Sequence, residues 1–428
     1  NLEFAGSLVV QDDGFVIVGE GLAIGSGTYE MHGGNVDAGS IYNESSLLQS
    51  GGTIGWGTIV GEVENYGLMD LAGGLCRVGF LDNEAGAYGY AQAAENGGGG
   101  VYVSGTMELD AEEIYNSGVF EQTGGTVAVS GTFDNWGRVD LSGGLFVAQL
   151  YNNHYEGGEG PMATYEGTGG AGTFVSGTAY FSAVTVNNGW YFEQTGGTVE
   201  VSDGGGNGEF NNYGTVDLSG GLTFVDTFNN YGDYYYPAGA GGEAPAQEGP
   251  PGLFVHASAD FSATTVNNFG WIEHNNYGGQ GYGPSAAGQG GGPEPAPYWG
   301  MSGVYVTGTA NFRVDEVHNA GTVWQDGGVI ASKAGGMGVF INYSGTGGYE
   351  YAASGPEPFT TTGRFYMGMS PSGTVGEDVP VFKDHLINYG EFYYYSGDFQ
   401  GKYEHRTGGW GFRQFQDFTA AGGIVNWG

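Results

Sequence analysis

Asn135-Trp136-Gly137-Arg138-Val139-Asp140-Leu141-Ser142-Gly143-Gly144-Leu145 is the stretch on which the fold of this 428-residue chain turns. An Asn is followed two positions on by Gly, then by a short apolar/acidic alternation, then by Gly-Gly. The same offset from Asn to Gly-Gly recurs at Asn43, Asn65, Asn116, Asn188, Asn212 and Asn319. With 91 glycines in the chain, chance would give roughly one such coincidence, so seven of them mark an internal repeat. Gly stands two residues after the Asn in five of the seven; Asn43 has Ser45 there and Asn188 has Trp190.

Val139 and Leu141 share one face of the alternation and Asp140 takes the other, the period of a half-buried strand. Asn and Gly tolerate positive φ, so both ends of the unit read as tight turns. A strand this short is unstable alone. Stacking one turn on the next buries the apolar face and pairs the backbone, with neighbouring strands about 4.8 Å apart. The sequence therefore predicts an all-β fold, a parallel β-solenoid (right-handed β-helix) with Gly/Pro-rich loop insertions. Asparagines that recur at one phase predict an amide ladder at that corner, each side chain bonding the copies above and below.

Longer repeats overlie the short one, starting at Gly100, Gly172, Gly252 and Gly303. Their unequal spacing places insertions at one phase of the unit. The expected organisation is a single solenoid domain over 1–428, with insertions near 83–99, 151–171, 233–251, 278–302 and 344–362. A less regular, basic-enriched part covers 363–428.

The pattern Asn-x-Gly followed by Val and Gly-Gly, best carried by residues 139–145, 216–222 and 322–329, resembles the repeats of secreted bacterial right-handed β-helix proteins. These include autotransporter passenger domains and filamentous-haemagglutinin-type adhesins. The resemblance implies a pectin-lyase-like solenoid, surface exposure, and an adhesive or structural role.

The formal charge is −38 and uneven. Residues 1–312 hold 2 basic and 35 acidic residues, and residues 313–428 hold 7 and 12. Such a chain repels nucleic acid and anionic membranes and attracts cations or a basic partner. No apolar run is long enough to span a bilayer. The absence of a charged-then-apolar opening segment fits a processed, secreted chain found outside the cell or at its surface. One cysteine, Cys76, excludes an internal disulfide framework and reads as a small buried apolar residue.

The two ends complement each other as sequence. The chain closes on Asn426-Trp427-Gly428 and opens on Asn1-Leu2-Glu3-Phe4, with Gly6 and Leu8 following. Set beside 135–145, Leu2 aligns with Val139, Glu3 with Asp140, Phe4 with Leu141, Gly6 with Gly143 and Leu8 with Leu145. The reading is a repeat unit split between two molecules and completed at a head-to-tail junction. Open, complementary ends make a contact that does not close on itself, and such contacts build filaments. Lys402, Arg406 and Arg413 toward one end and Glu3, Asp12, Asp13 and Glu20 toward the other would steer the encounter.

Chemistry is sparse. The His residues lack metal-ligand spacing, Asp12-Asp13-Gly14 lacks the further oxygens of a calcium loop, and Glu112-Glu113 carries no supporting motif. A basic proton acceptor for a lyase is missing from most of the chain. No catalytic, cofactor-binding or metal residues are expected. Tyr234-Tyr235-Tyr236, Tyr298-Trp299 and Tyr393-Tyr394-Tyr395 are the candidates for stacking on sugars. The expectation is a structural, non-enzymatic subunit of an extracellular filament whose partner is itself, with surface polysaccharide and cations as further candidate partners. A monomeric adhesin or carbohydrate-binding rod is the alternative, and a lyase or tailspike-like depolymerase the third reading.

Overall fold

The computed structural model describes residues 2–4, 6, 8–84, 100–154, 172–231, 252–268, 303–343, 364–368, 379–406, 412–414 and 418–426. All regular structure in them is β-strand, and the strands pair in parallel. The fold is a parallel β-solenoid. Its contacts divide it into two compact units, one built mainly from residues 1–210 and one mainly from 211–428.

In the first unit most turns contribute one strand of about four residues and one of about nine; the long strand is broken in two at Thr53–Ile54 and Val60–Asn65, and again after Thr198–Val201. The short strands pair in chain order, among them Gly100–Val103 with Val119–Gln122, and Val119–Gln122 with Arg138–Leu141. The long strands do the same, with Glu108–Asn116 on Thr126–Asn135 and Thr126–Asn135 on Leu145–Asn153. Alternation slips once in each long strand. Ala111 and Ile114 point inward while Glu112 and Glu113, between them, both face solvent. Two consecutive outward residues cannot lie on one flat strand, so the slip is a corner, and the two halves of the strand line different walls.

Identical phases stack on one another, so the core consists of columns. Val139 and Leu141 are buried as the alternation requires. Phe133 lies over Tyr151 in one column and Phe146 over Phe181 in the next, with ring centroids 5.3 and 5.4 Å apart. Fully burying one such ring is worth about 2–3 kcal/mol. The second unit repeats the plan, with short strands such as Gly303–Val306, Thr322–Gln325 and Arg364–Met367 in register. Its later long strands are broken in two, as in Val329–Ala331 and Val339–Asn342.

The asparagine corner holds the turns in register. In the first unit the Nδ2 of Asn43 donates to Oδ1 of Asn65, and the chain of amides continues through Asn83, Asn116, Asn135 and Asn153 to Asn188, at 2.7–2.9 Å per link. In the second it runs from Asn212 through Asn230, Asn268, Asn319 and Asn342 to Asn388, over the same range of distances. All thirteen are at most 1% exposed. Each amide is further saturated. Asn135 Oδ1 accepts from the Gly137 N–H at 3.1 Å, and the Asn43 Nδ2 also donates to the Leu68 carbonyl at 2.8 Å. Gly137 is required by proximity: a Cβ there would sit 2.1 Å from the Gly118 carbonyl oxygen of the preceding turn. Gly144 adopts φ +83°, where a side chain is strained.

Asn43-Glu44-Ser45 and Asn342-Tyr343-Ser344 have the Asn-x-Ser pattern of an N-glycan acceptor, but both Asn amides are buried and bonded in the ladders. The expected insertion at 151–171 begins too early, since Tyr151 and Asn153 complete a buried strand. The chain leaves its described course after Glu84 and His154 in the first unit, and after Tyr231, Asn268 and Tyr343 in the second.

Asn135→Ala strands the Nδ2 of Asn116 and the backbone groups at Gly137. It is expected to destabilise the first unit by about 2–4 kcal/mol, read as a lowered denaturant midpoint. Glu112→Ala, on the solvent face, should stay within about 0.5 kcal/mol.

Candidate functional site

Three features outside the core have the character of sites: the terminal turns, an outer groove of the first unit, and columns of stacked outward side chains.

At the first described turn, Leu2–Phe4 pairs with Leu22–Ile24. Its other edge meets no strand among the described residues. Leu2 is 38% exposed although its register partner Leu22 is 1% exposed. At the other terminus Ile424–Asn426 pairs, among the described residues, with Tyr403–His405 alone, and Ile424 is 55% exposed.

The pairings overturn the expected split unit. Leu22–Ile24 stacks on Ile41–Asn43, which shares its phase with Phe133–Asn135. Leu2, Glu3 and Phe4 thus align with Phe133, Asp134 and Asn135, and not with Val139, Asp140 and Leu141. Leu8–Gln11 takes the phase of Arg138–Leu141, so Leu8 aligns with Arg138. Period-two alternation cannot distinguish these registers, because both present apolar residues inward. Asn426 pairs with His405, and His405 with Asn388, so Asn426 also sits in a ladder phase. A direct join would separate Asn426 from Phe4 by six residues, whereas successive bonded ladder positions lie at least 18 apart. Gly6 lies between the first two strands and has φ +68°. Asn1, Trp427 and Gly428 lie outside the described residues.

The ladders themselves end in other residues. Ile24 and Phe4 replace Asn at the start, and Asn388 donates to the Tyr403 hydroxyl at 3.4 Å instead of to another amide. The expected steering charges are partly engaged. Lys402 and Arg406 both bind Glu404, at 3.3 and 2.5 Å, and Glu404 is 4% exposed. His385 Nε2 lies 3.1 Å from the same carboxylate. The side chain of Arg413 lies outside the description.

A groove of about 700 Å³ follows the strand corner of the first unit across successive turns. Val78, Ala111, Val129, Ala148 and Ala183 supply small residues at one phase, and Asp110, Glu112, Gln149 and Ser182 supply polar ones. Val147 at its margin and Leu145 on the same strand are 36% and 38% exposed, and Ser182 and Tyr180 take their phases on the next turn. Asp203 lines one end. Hydrogen bonds from the Asn207 side chain and backbone push its carboxyl down to about 2 and tie it into the 203–207 turn. It is no proton donor.

Stacking also sets like charges above one another. Asp82 lies in register with Glu64, and partial burial, with Glu84, Glu64 and Glu62 nearby, pushes its carboxyl up to about 6. In the second unit Asp384 is 3% exposed and accepts the Gly338 N–H at 3.0 Å. Burial raises it to about 6. Among the described residues no group of three His, Cys, Asp or Glu side chains is arranged to hold a metal ion.

Sequence reading missed a second set of buried amides. Gln49, Gln122, Gln194 and Gln325 close the corner opposite the ladder. Each Nε2 donates to the carbonyl three residues on and to one on the next turn, as Gln122 does to Gly125 at 3.3 Å and Leu145 at 3.0 Å. Their signal was Gln three residues before a glycine of positive φ. Of the aromatic triplets, Tyr393-Tyr394-Tyr395 is described, and its residues divide between faces. Tyr394 is 5% exposed and donates to the Gly397 carbonyl at 2.6 Å, whereas Tyr393 joins an outward stack. Tyr234–Tyr236 and Tyr298-Trp299 lie outside the described residues.

A carboxyl raised in the folded state binds its proton more tightly there. Its stabilising contribution is full below the unfolded value of 3.8 and is lost as pH rises through about 6. Thermal stability should therefore rise as pH is lowered from 7.5 to 5. Asp384→Asn should flatten that dependence in the second unit, by at most about 3 kcal/mol. Differential scanning calorimetry across the pH series checks both.

In comparisons of sequence and of structure, no protein-family model, no curated protein and no solved structure matches this chain.

Proposed function

We propose that this chain is a structural β-solenoid subunit of an extracellular filament, elongating by end-on addition of one copy to another. The observation that supports the reading is that Leu2–Phe4 and Ile424–Asn426 each pair on one side only among the described residues, and each lies in a ladder phase of its own unit. The junction is a parallel pairing of Leu2 on Ile424, Glu3 on Val425 and Phe4 on Asn426, and it adds one whole turn to the stack. It satisfies two open backbone edges and covers Leu2 and Ile424 together. The acidic outer surface keeps the sides of the fibre apart.

A second reading, a surface adhesin or polysaccharide-binding solenoid, is favoured by the groove and its apolar margin in the first unit. The two readings differ in what concentration does.

Negative-stain microscopy and fibre diffraction at moderate salt test the first. Unbranched fibres with an axial spacing of about 4.8 Å are expected. The double substitution Leu2→Asp and Phe4→Asp should raise the concentration needed for elongation at least tenfold while leaving the far-ultraviolet spectrum unchanged. A denaturing gel of the fibres separates stacked subunits from one long tandem chain. Particles that stay single at high concentration overturn the filament reading and leave the adhesin.

A further inference from the structure

The outer face of the second unit carries aromatic residues at one phase on five consecutive turns. Phe254, Tyr305, Trp324, Tyr366 and Tyr393 are successive register partners along the short strands. Parallel in-register pairing fixes their spacing, and the rings lie face to face. Phe254 and Tyr305 are 4.6 Å apart at an interplanar angle of 2°. Trp324 and Tyr366 are 4.0 Å apart at 8°, and Tyr366 and Tyr393 are 4.6 Å apart at 6°. Aromatic pairs left free prefer offset or edge-to-face contacts. Core pairs such as Phe228–Phe261, at 90°, show that preference.

The oxidisable members differ in what they can do with a proton. Trp324 is 4% exposed, and its indole N–H has no acceptor among the described residues. Tyr393, at the far end, donates its phenolic hydrogen to Glu391 Oε2 at 2.9 Å. That carboxylate is held in place by Arg364, whose Nε lies 3.0 Å from the same oxygen. A phenol loses an electron far more readily when a base takes its proton in the same event. An electron vacancy created at Trp324 has no proton exit there and has one at Tyr393.

We propose that Trp324, Tyr366 and Tyr393 form a one-electron relay that carries oxidising equivalents to Tyr393. The relay needs a one-electron oxidant at the protein surface, of the strength of a metal(III) polypyridyl complex. That oxidant gains one electron, and Trp324 becomes an indole radical cation. Trp324 recovers its electron through Tyr366 from Tyr393. As Tyr393 gives up the electron, its phenolic proton moves along the hydrogen bond to Glu391. The products are a neutral phenoxyl radical, a neutral carboxylic acid and the reduced oxidant. Tyr305 stands on the register-adjacent turn beyond Trp324 and extends the column toward Phe254.

The test is flash photolysis of the intact chain carrying a ruthenium polypyridyl label on Ser258→Cys, with persulfate as quencher and the radical trapped for electron paramagnetic resonance. Ser258 is exposed in the turn that follows Gly252–Val255. Native Cys76 is fully buried, with its thiol pushed up to about 12, so it does not compete for the label. The expected result is a neutral tyrosyl signal that falls at least fivefold in Tyr393→Phe, a variant that removes only the hydroxyl. Glu391→Gln should lower the yield similarly while ring stacking, read by near-ultraviolet circular dichroism, is kept. Trp324→Phe should delay the appearance of the signal. A tyrosyl signal unchanged in Tyr393→Phe and in Glu391→Gln overturns the relay, and so does a radical that remains on tryptophan in the unsubstituted chain.

Discussion

Every part of this fold depends on the amide-to-amide hydrogen bond between asparagines on successive turns. A buried carboxamide has two donors and an acceptor to satisfy, and leaving them unpaired costs about 1–3 kcal/mol each. Only a neighbour with the same group at the same phase, one strand spacing away, satisfies both directions of the ladder. The requirement passes from turn to turn and fixes register where β-pairing alone would permit a slip. The buried glutamines at the opposite corner act on the backbone instead, bridging the carbonyls of adjacent turns. One corner sets which residue lies over which, and the other ties the turns together.

Once register is fixed, every outward position becomes a column, and its chemistry is amplified by repetition. Aromatic columns stack face to face. Carboxylate columns add repulsion to the cost of burial, and the two together, burial the larger, make Asp82 hold its proton unusually well. Where a turn offers a complementary group, the strain is relieved locally. Arg138 chelates Asp140 of its own strand at 2.6 and 2.8 Å while lying over the Phe174 ring of the next turn. The surface is therefore a set of lines whose properties run along the strand-stacking direction of each unit.

Much of this was legible in the sequence, because turn chemistry and alternation recur at fixed offsets. The strands, the Gly turns and seven of the ladder asparagines follow from the interval between Asn and Gly-Gly. Asn83, Asn153, Asn230, Asn268 and Asn342 escaped that test because additional residues follow each of them and the short strand beyond ends in a different turn, such as Ser104-Gly105-Thr106 or Ser176-Gly177-Thr178, instead of Gly-Gly. Asn388 escaped because its turn ends in Ser396-Gly397 instead. The buried glutamines escaped because a single Gln before a turn has no distinctive pattern until the turns are superimposed. The register of Leu2–Phe4 was misread for a physical reason: apolar alternation is common to both walls of a turn, and only pairing distinguishes them. The groove and the stacked aromatic column are properties of several turns at once, invisible to any one segment.

The corner where additional residues enter has a consequence for how such a chain can change. Ladder positions are followed by a residue whose amide is already bonded to the turn below, as Glu84 is to Asn65 and His154 to Asn135. Where the described course resumes, Gly100 and Gly172 are bonded in the same way, to Gly67 and Gly137. The two sides of the gap are thus clamped independently of what lies between them. The entropic cost of a longer connection grows only logarithmically, by about 0.6 kcal/mol per doubling. Length at this corner is nearly free. At the corner inside the long strand a single extra residue is absorbed, since Ser130–Thr132 stands against Glu112–Glu113 while the columns on both sides stay paired, but a residue added within either straight half would shift that half's columns. The architecture separates a part that must be copied faithfully from a part that can be rewritten, and it offers five attachment points for foreign segments on a scaffold that need not notice them.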